Sequence, residues 1–274
     1  MIPYPFTYHR PNSLAEAEAL LARLPDAKLL AGGHSLIPAM KLRLASPAAL
    51  IDISRIADLS FIRRAGDTIS IGAAVRHFEV ADSEMVHKAI AALASLVEEI
   101  GDPAVRHMGT VGGSVANNDP AADYPAAVLA LGATIRTNQR SISADDFFTG
   151  MFSTALEDTE ILTAVDFPIP KRAGYVKFAN PASRYAMVGV FVAETAGGVR
   201  VAITGAAPCV FRSSEMETAL AQSFAPDAVA SIAIRPEGMN SDIHGSVEYR
   251  AHLVTVLAKR AVAVALRSSG GPHG

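Results

Sequence analysis

The sequence predicts an α+β fold: a two-part N-terminal unit followed by a smaller unit of sheet plus helices. Three observations carry that reading. Residues 13–53 alternate helix and strand patterns with short links. Residues 59–167 mix hairpin strands with apolar helical runs. Beyond the linker Pro170-Lys171-Arg172-Ala173-Gly174 come three consecutive strand patterns and then helices, the segregated order of an α+β domain. The expected divisions are 1–170, with parts at about 1–56 and 57–170, and 171–274.

The elements follow in order. Residues 3–10, Pro-Tyr-Pro-Phe-Thr-Tyr-His-Arg, read as an extended arm. Ser13, with Glu16 three residues on, is a capping box for a helix whose buried face carries Leu14, Ala17, Leu20, Leu21 and Leu24. A strand over 27–31, a short helix over 35–43 with Pro38 in its first turn, and a strand over 49–53 complete a β-α-β-type unit. A hairpin follows, with strands 61–64 and 68–72 around Ala65-Gly66-Asp67. A short helix is expected near 78–82 and a longer one over 86–100, stopped by Gly101-Asp102-Pro103. Asp119 before Pro120 signals a helix start, so a helix is expected over 121–131. Strands at 133–137 and 141–143, a short helix opened by Asp145 and Asp146, and a strand over 160–167 close this part. The last part holds strands at 175–179, 187–195 and 199–204, with Gly197-Gly198 as a hairpin turn. Helical patterns cover 213–222, 226–233 and 247–267, and the tail 268–274 is expected to fray.

Composition narrows the function. The chain has 274 residues and half are apolar, enough for a sizeable core. A net charge of −3 without a basic stripe argues against nucleic acid as a partner. No apolar run approaches the roughly 18–20 residues of a membrane span, and the N-terminus lacks the pattern of a signal peptide. One cysteine, Cys209, excludes an internal disulfide and an iron–sulfur cluster held by this chain alone. The composition fits a reducing, cytoplasmic setting.

Two glycine pairs carry the functional signal: Ala31-Gly32-Gly33-His34-Ser35 and Thr110-Val111-Gly112-Gly113-Ser114. Glycine pairs permit positive φ and remove the β-carbons that hold a ligand away. Successive N–H groups then converge on an anion, and a following serine adds a hydroxyl. Two such loops, about 80 residues apart, can grip one diphosphate from two sides. Either pair alone can equally be an ordinary turn. No Gly-x-Gly-x-x-Gly, Walker A loop or metal-ligand spacing occurs. Gly112-Gly113-Ser114-Val115-Ala116 also resembles a nucleophile elbow, without an assignable triad. Asp119 reads as an N-cap. Asp123 is either a solvated charge favoured by the helix dipole or an acceptor for a ligand's ribose hydroxyls or amines. His34 lies in a loop that suits ligand or solvent contact. Tyr185 is either a sheet-packing residue or a flat cover for a planar ring. Lys177, on a strand, reads as an exposed charge.

The stretches Ala-Gly-Gly-His-Ser-Leu-Ile-Pro-Ala-Met-Lys-Leu-Arg (31–43) and Gly-Thr-Val-Gly-Gly-Ser-Val-Ala-Asn-Asn-Asp-Pro-Ala-Ala-Asp-Tyr-Pro (109–125) resemble the two FAD-binding signatures of the flavoprotein (medium) subunit of molybdenum hydroxylases. The carbon monoxide dehydrogenase-type branch is the nearest pattern, and xanthine dehydrogenase carries the same module in a longer chain. The resemblance spans the chain, including the arm and Leu-Ile-Asp-Ile (50–53).

It implies a two-subdomain FAD-binding domain of the vanillyl-alcohol-oxidase (PCMH-like) type over 1–170, and a C-terminal three-stranded-sheet-plus-helices domain over 171–274. It assigns FAD contacts to Ala31, Gly32, Gly33, His34, Ser35 and Leu36, and to Thr110, Gly112, Gly113, Ser114, Asp119 and Asp123. Ile161 falls where a backbone contact to adenine is expected, and Lys177 and Tyr185 where contacts near the isoalloxazine ring lie. Arg184 departs from the pattern, which commonly has Asp there. No catalytic residue and no metal ligand is expected on this chain. The molybdenum cofactor is expected on a large partner and the [2Fe–2S] clusters on a small one, as a dimer of heterotrimers in the cytoplasm. Peripheral membrane association through the complex is compatible with this. Some relatives carry a cysteine-rich cluster loop, which this chain lacks. The alternative is a stand-alone FAD-dependent oxidase of the vanillyl-alcohol-oxidase type.

Overall fold

Sheets organise residues 2–268, the part of the chain that the computed structural model describes. The first sheet holds β1 (Thr7–His9), β2 (Ala27–Leu30) and β3 (Ala49–Asp52), all parallel, in the order β1-β3-β2. The extended arm is thus an edge strand, with Tyr8 opposite Leu50. The helix Leu14–Arg23 is capped by Ser13, whose Oγ accepts from Glu16 N at 3.2 Å. Its buried residues Ala17 and Leu20 pack with Ile51, Ile53 and Ile161. β2 runs directly into the first glycine pair.

The hairpin is β4 (Ile62–Ala65) and β5 (Thr68–Gly72), turning at Gly66 with φ +58°. β6 (Thr134–Thr137) pairs with β7 (Ser141–Ser143). A two-stranded ribbon follows, β8 (Phe148–Gly150) and β9 (Ser153–Thr154). β10 (Leu162–Pro168) then inserts between β5 and β6, giving the antiparallel order β4-β5-β10-β6-β7.

The helices over this sheet correct three expectations. The run 86–100 is two helices, Glu84–Ala89 and Ala91–Glu98, because Ile90 leaves the helical region at φ −142°, ψ 67°. Pro103 does more than stop a helix. It opens the next one, Pro103–Met108, capped by Asp102, whose Oδ1 accepts from Val105 N at 2.9 Å. The helix expected over 121–131 spans Tyr124–Leu131. Asp119 is therefore not its cap; its Oδ1 accepts from Ala121 N at 2.9 Å in a turn that precedes the helix. Asp123 takes the N-cap position, and Pro125 fits the first turn because its missing N–H would have had no helical partner. This helix is apolar all round and buried from Tyr124 to Leu131.

The last sheet holds β11 (Arg172–Ala179), β12 (Ala186–Thr195), β13 (Gly198–Thr204) and β14 (Phe211–Arg212) in that order. It has four strands rather than the three expected, because Phe211 and Arg212 pair with Ile203 and Ala202. The helix Val247–Ser268 packs on β11 so closely that a β-carbon on Gly174 would lie 2.2 Å from Ala261 O. The pattern at 226–233 yields only the 3-10 turn Pro226–Val229, and the expected tail beyond Ser268 lies outside the described residues. β13 is fastened to the N-terminal part: Thr204 Oγ1 donates to Ala122 O at 2.7 Å and Arg200 Nε to Leu129 O at 2.9 Å. No described helix is long and apolar enough to cross a membrane.

Candidate functional site

The two glycine loops meet. A β-carbon on Gly32 would lie 2.2 Å from Met108 O and 2.8 Å from Gly109 Cα, so the first loop rests on the backbone just ahead of the second. One on Gly113 would come within 4.0 Å of the Ala31 β-carbon. Gly33 takes φ +74°, which turns the chain from β2 into the helix Leu36–Lys41.

The loops offer different chemistry. Among the described residues, nothing accepts from the backbone N–H groups of Gly32, Gly33, His34 or Ser35. Four successive free donors in a turn make an anion nest. His34 and Ser35 are exposed, so the nest opens outward. The second loop lies within the helix Val111–Asn117, and its first four N–H groups are committed. Val111 N donates to Val75 O at 3.0 Å, Gly112 N to Ala73 O at 2.9 Å, Gly113 N to Thr110 Oγ1 at 3.1 Å and Ser114 N to Thr110 O at 3.0 Å. Gly112 serves close packing: a β-carbon there would lie 2.5 Å from that of Ala73. What this loop presents outward is the exposed Gly113 and the half-buried Ser114; Thr110 is buried, its hydroxyl oxygen taken by Gly113 N.

Behind the loops lies a buried polar cluster. Lys177, read as an exposed charge, has a side chain only 2% exposed. Its Nζ lies 3.0 Å from Asp123 Oδ1 and donates to Glu99 O at 2.8 Å. The Tyr175 hydroxyl donates to the same carboxylate. Gly189 makes this possible, since a β-carbon there would lie 2.4 Å from that hydroxyl. Burial pushes the Asp123 carboxyl up, and the Lys177 charge opposes it. Asp123 is thus neither solvated nor open on all sides; it is one member of a buried pair.

His77 was not singled out by the sequence. It is buried, and its Nε2 would lie 2.6 Å from a β-carbon on Gly109. Its ring stands 5.4 Å from that of Tyr124, and its Nδ1 has no partner. Burial, then the charges of His34 and Arg106, pull its pKa down to about 4. The imidazole is therefore neutral at pH 7, beside the nest. A lone histidine at a helix start gives no sequence signal; its seat on Gly109 is a tertiary fact.

The remaining assigned residues are more scattered. Leu36 opens the helix after the nest and is half-buried. Ile161 is fully buried in the same cluster as Ala31, and both its backbone polar groups meet Asn138: N to Oδ1 at 2.8 Å, O from N at 3.0 Å. Asp119 and Tyr185 line a separate open cleft. Arg184 adopts φ +60°, a region where Asp and Asn are less strained than longer side chains.

A row of free N–H groups, the flanking Ser114 hydroxyl and no β-carbon at the contact between loops fit a nucleotide diphosphate. Comparison with known proteins agrees. Residues 4–170 match the family described as "FAD binding domain in molybdopterin dehydrogenase", and the chain belongs to that family. The carbon monoxide dehydrogenase medium chain of Hydrogenophaga pseudoflava is 37% identical, over 96% of this chain and 97% of that one. The nicotine 6-hydroxylase medium subunit of Paenarthrobacter nicotinovorans is 35% identical, over 93% and 95%. Among solved structures, reconstituted CO dehydrogenase from Oligotropha carboxidovorans matches with a TM-score of 0.91 and 35% identity, over 98% of this chain and 100% of that one. Quinoline 2-oxidoreductase from Pseudomonas putida 86 matches with a TM-score of 0.89 and 31% identity, over 98% and 99%.

Proposed function

We propose that this chain is the flavin-bearing electron-transfer subunit of a molybdenum hydroxylase, and that it binds one FAD non-covalently. The observation that carries the reading is the row of four unpartnered N–H groups, Gly32 to Ser35, resting on the Thr110-capped helix. The row holds the diphosphate through neutral donors, the Ser114 hydroxyl adds to it, and the buried Thr110 holds the second loop in place as its cap. Asp123 and Lys177 are proposed to belong to the flavin site from its buried side: they are held against each other and Tyr175, so a ribityl or ribose hydroxyl reaching the Asp123 carboxylate would replace one of these partners. Ile161 is assigned the backbone contact to the adenine, for which its bonds to Asn138 would have to give way, and Tyr185 and Asp119, which line the open cleft, the ring end.

FAD supplies the electron exchange; the chain supplies binding, orientation and electrostatics. A large partner carries the molybdenum cofactor and a small partner the [2Fe–2S] clusters, from which electrons reach this chain and pass to an external acceptor. The assembly is a dimer of heterotrimers in the cytoplasm. The division of labour has FAD binding in residues 1–170 and a covering domain in 171–274.

The purified chain is expected to absorb near ~370 and ~450 nm and to release about one FAD on heating. Gly32→Val, which forces the two loops apart, is expected to lose the flavin while the chain stays folded by circular dichroism. A colourless protein that FAD cannot reconstitute overturns the reading. Substrate turnover by the isolated flavoprotein would instead favour a stand-alone oxidase.

A further inference from the structure

We propose that His77 is the positioning residue of the diphosphate nest: its imidazole is the prop behind the Met108-Gly109 backbone on which Gly32 rests, and the nest keeps its diphosphate-accepting shape only while that ring is in place. The proposal rests on the flavin reading above. His77 itself is buried, so it acts through Gly109 rather than on the ligand.

The Met108-Gly109 backbone has no slack where it meets the nest or where it meets the ring. A β-carbon on Gly32 would lie 2.2 Å from Met108 O, and one on Gly109 would lie 2.6 Å from His77 Nε2 and 2.8 Å from its Cδ2. Both glycines are therefore needed for one reason: nest, peptide and ring follow one another at contact distance. A short strand-like pairing fixes how the ring arrives. His77 N donates to Gly109 O at 3.0 Å, Val111 N donates to Val75 O at 3.0 Å, and Arg76 forms an antiparallel bridge with Thr110. The next residue adds a second hold. Phe78, in the short helix His77–Ala81, stacks on His107 with ring centroids 4.5 Å apart and planes 6° apart. His77 and Phe78 thus clamp residues 107–109 with two consecutive rings.

The ring is backed in turn. Its centroid stands 5.4 Å from that of Tyr124, which is fully buried at the start of a helix buried along its whole length. A close-packed interior passes a displacement on instead of absorbing it. Among the described residues His77 Nδ1 has no partner, so the ring acts through its shape and not through a hydrogen bond at that atom. Removing the ring opens a cavity that its surroundings fill only in part. Met108 and Gly109 then lose their backing, and Gly32 loses the seat that aligns the free N–H groups of residues 32–35. A binding constellation has to be held within about 0.5 Å by packed neighbours, so the nest is sensitive to this loss.

The test uses the full 15N-labelled chain, titrated with FAD at a temperature where each variant is folded by circular dichroism. His77→Ala is expected to weaken FAD binding at least tenfold and, at saturation, to reduce the FAD-induced shifts of the Gly32–Ser35 amides while the Lys177 amide responds as in the parent chain. Gly109→Ala, whose methyl meets the ring, is expected to weaken binding as well. The double variant, in which that methyl enters the space the ring leaves, is expected to bind FAD more tightly than Gly109→Ala alone, a non-additivity that marks direct contact. His77→Asn, a milder truncation, replaces His77→Ala if the latter does not fold. A histidine with a merely structural role would lower the melting temperature and leave the FAD affinity and the nest shifts unchanged. Parent-like affinity and nest shifts in the His77 variant, or losses that simply add in the double variant, overturn the proposal while the flavin reading stands. A parent chain that binds no FAD overturns the flavin reading and the role of His77 together.

Discussion

Lys177 shows how far one side chain can depart from its sequence context. A lysine on a strand normally faces solvent, yet here its ammonium is enclosed with Asp123 and the Glu99 carbonyl. The pair joins residues 54 positions apart, so no local pattern could have revealed it. Truncating one partner of a buried pair leaves the other charge uncompensated, at about 3–5 kcal/mol. Lys177→Met is therefore expected to lower unfolding stability by that order in a denaturant titration; a change below about 1 kcal/mol would contradict the pairing. The glycines behave oppositely. Gly33 was legible because its chemistry is local, a positive φ, whereas Gly32 tolerates no β-carbon only because Met108 lies against it, a contact that no local pattern carries. Arg184 stood out only against the pattern the resemblance implies, and its φ of +60° is one that Asp or Asn takes with less strain.

The elements divide by how local their signals are. Ser13 marked its helix correctly because a cap bonds to a neighbour three residues on. Asp119-Pro120 carried an equally strong signal and misplaced the helix start, because Asp119 closes a turn on Ala121 instead. The break at Ile90 had no proline or glycine to announce it. The second glycine pair was read as a second nest, but Val111 and Gly112 donate to Val75 and Ala73, contacts that only the packed fold supplies, and Gly113 and Ser114 donate to the local cap Thr110. The helix beginning at His77 makes a pH prediction. In the flavin-free chain His77 titrates at about 4 when folded, against 6.5 as its ordinary value. Between those values the unfolded chain holds the proton and the folded chain does not, so stability rises with pH across that window and falls as pH drops through it. The loss by pH 4 is of order 3 kcal/mol. His77→Leu is expected to flatten this slope in unfolding titrations from pH 4 to 7; an unchanged slope would show that His77 is not the group responsible.

At the scale of the whole molecule, the α+β class and the order of units were legible because strand and helix patterns segregate along the chain. How the last sheet is fastened was not. Arg200 and Arg212 both reach Asp145, and Thr204 reaches Ala122, so β13 and β14 brace the segment that carries Asp119 and Asp123. The glycine nest lies in the first sheet's loop, the capped helix in the second part, and the Lys177–Asp123 pair joins the second part to the third. A ligand spanning these sites would rest on elements from all three parts. The central claim, that the nest at residues 32–35 grips the diphosphate, is tested most directly by amide NMR. A 15N-labelled, flavin-free chain would be titrated with FAD and, separately, with riboflavin, which lacks the phosphates. The account predicts that FAD shifts the Gly32, Gly33, His34 and Ser35 amide protons downfield and slows their exchange, and that riboflavin does not. FAD bound with these four amides unmoved would contradict it.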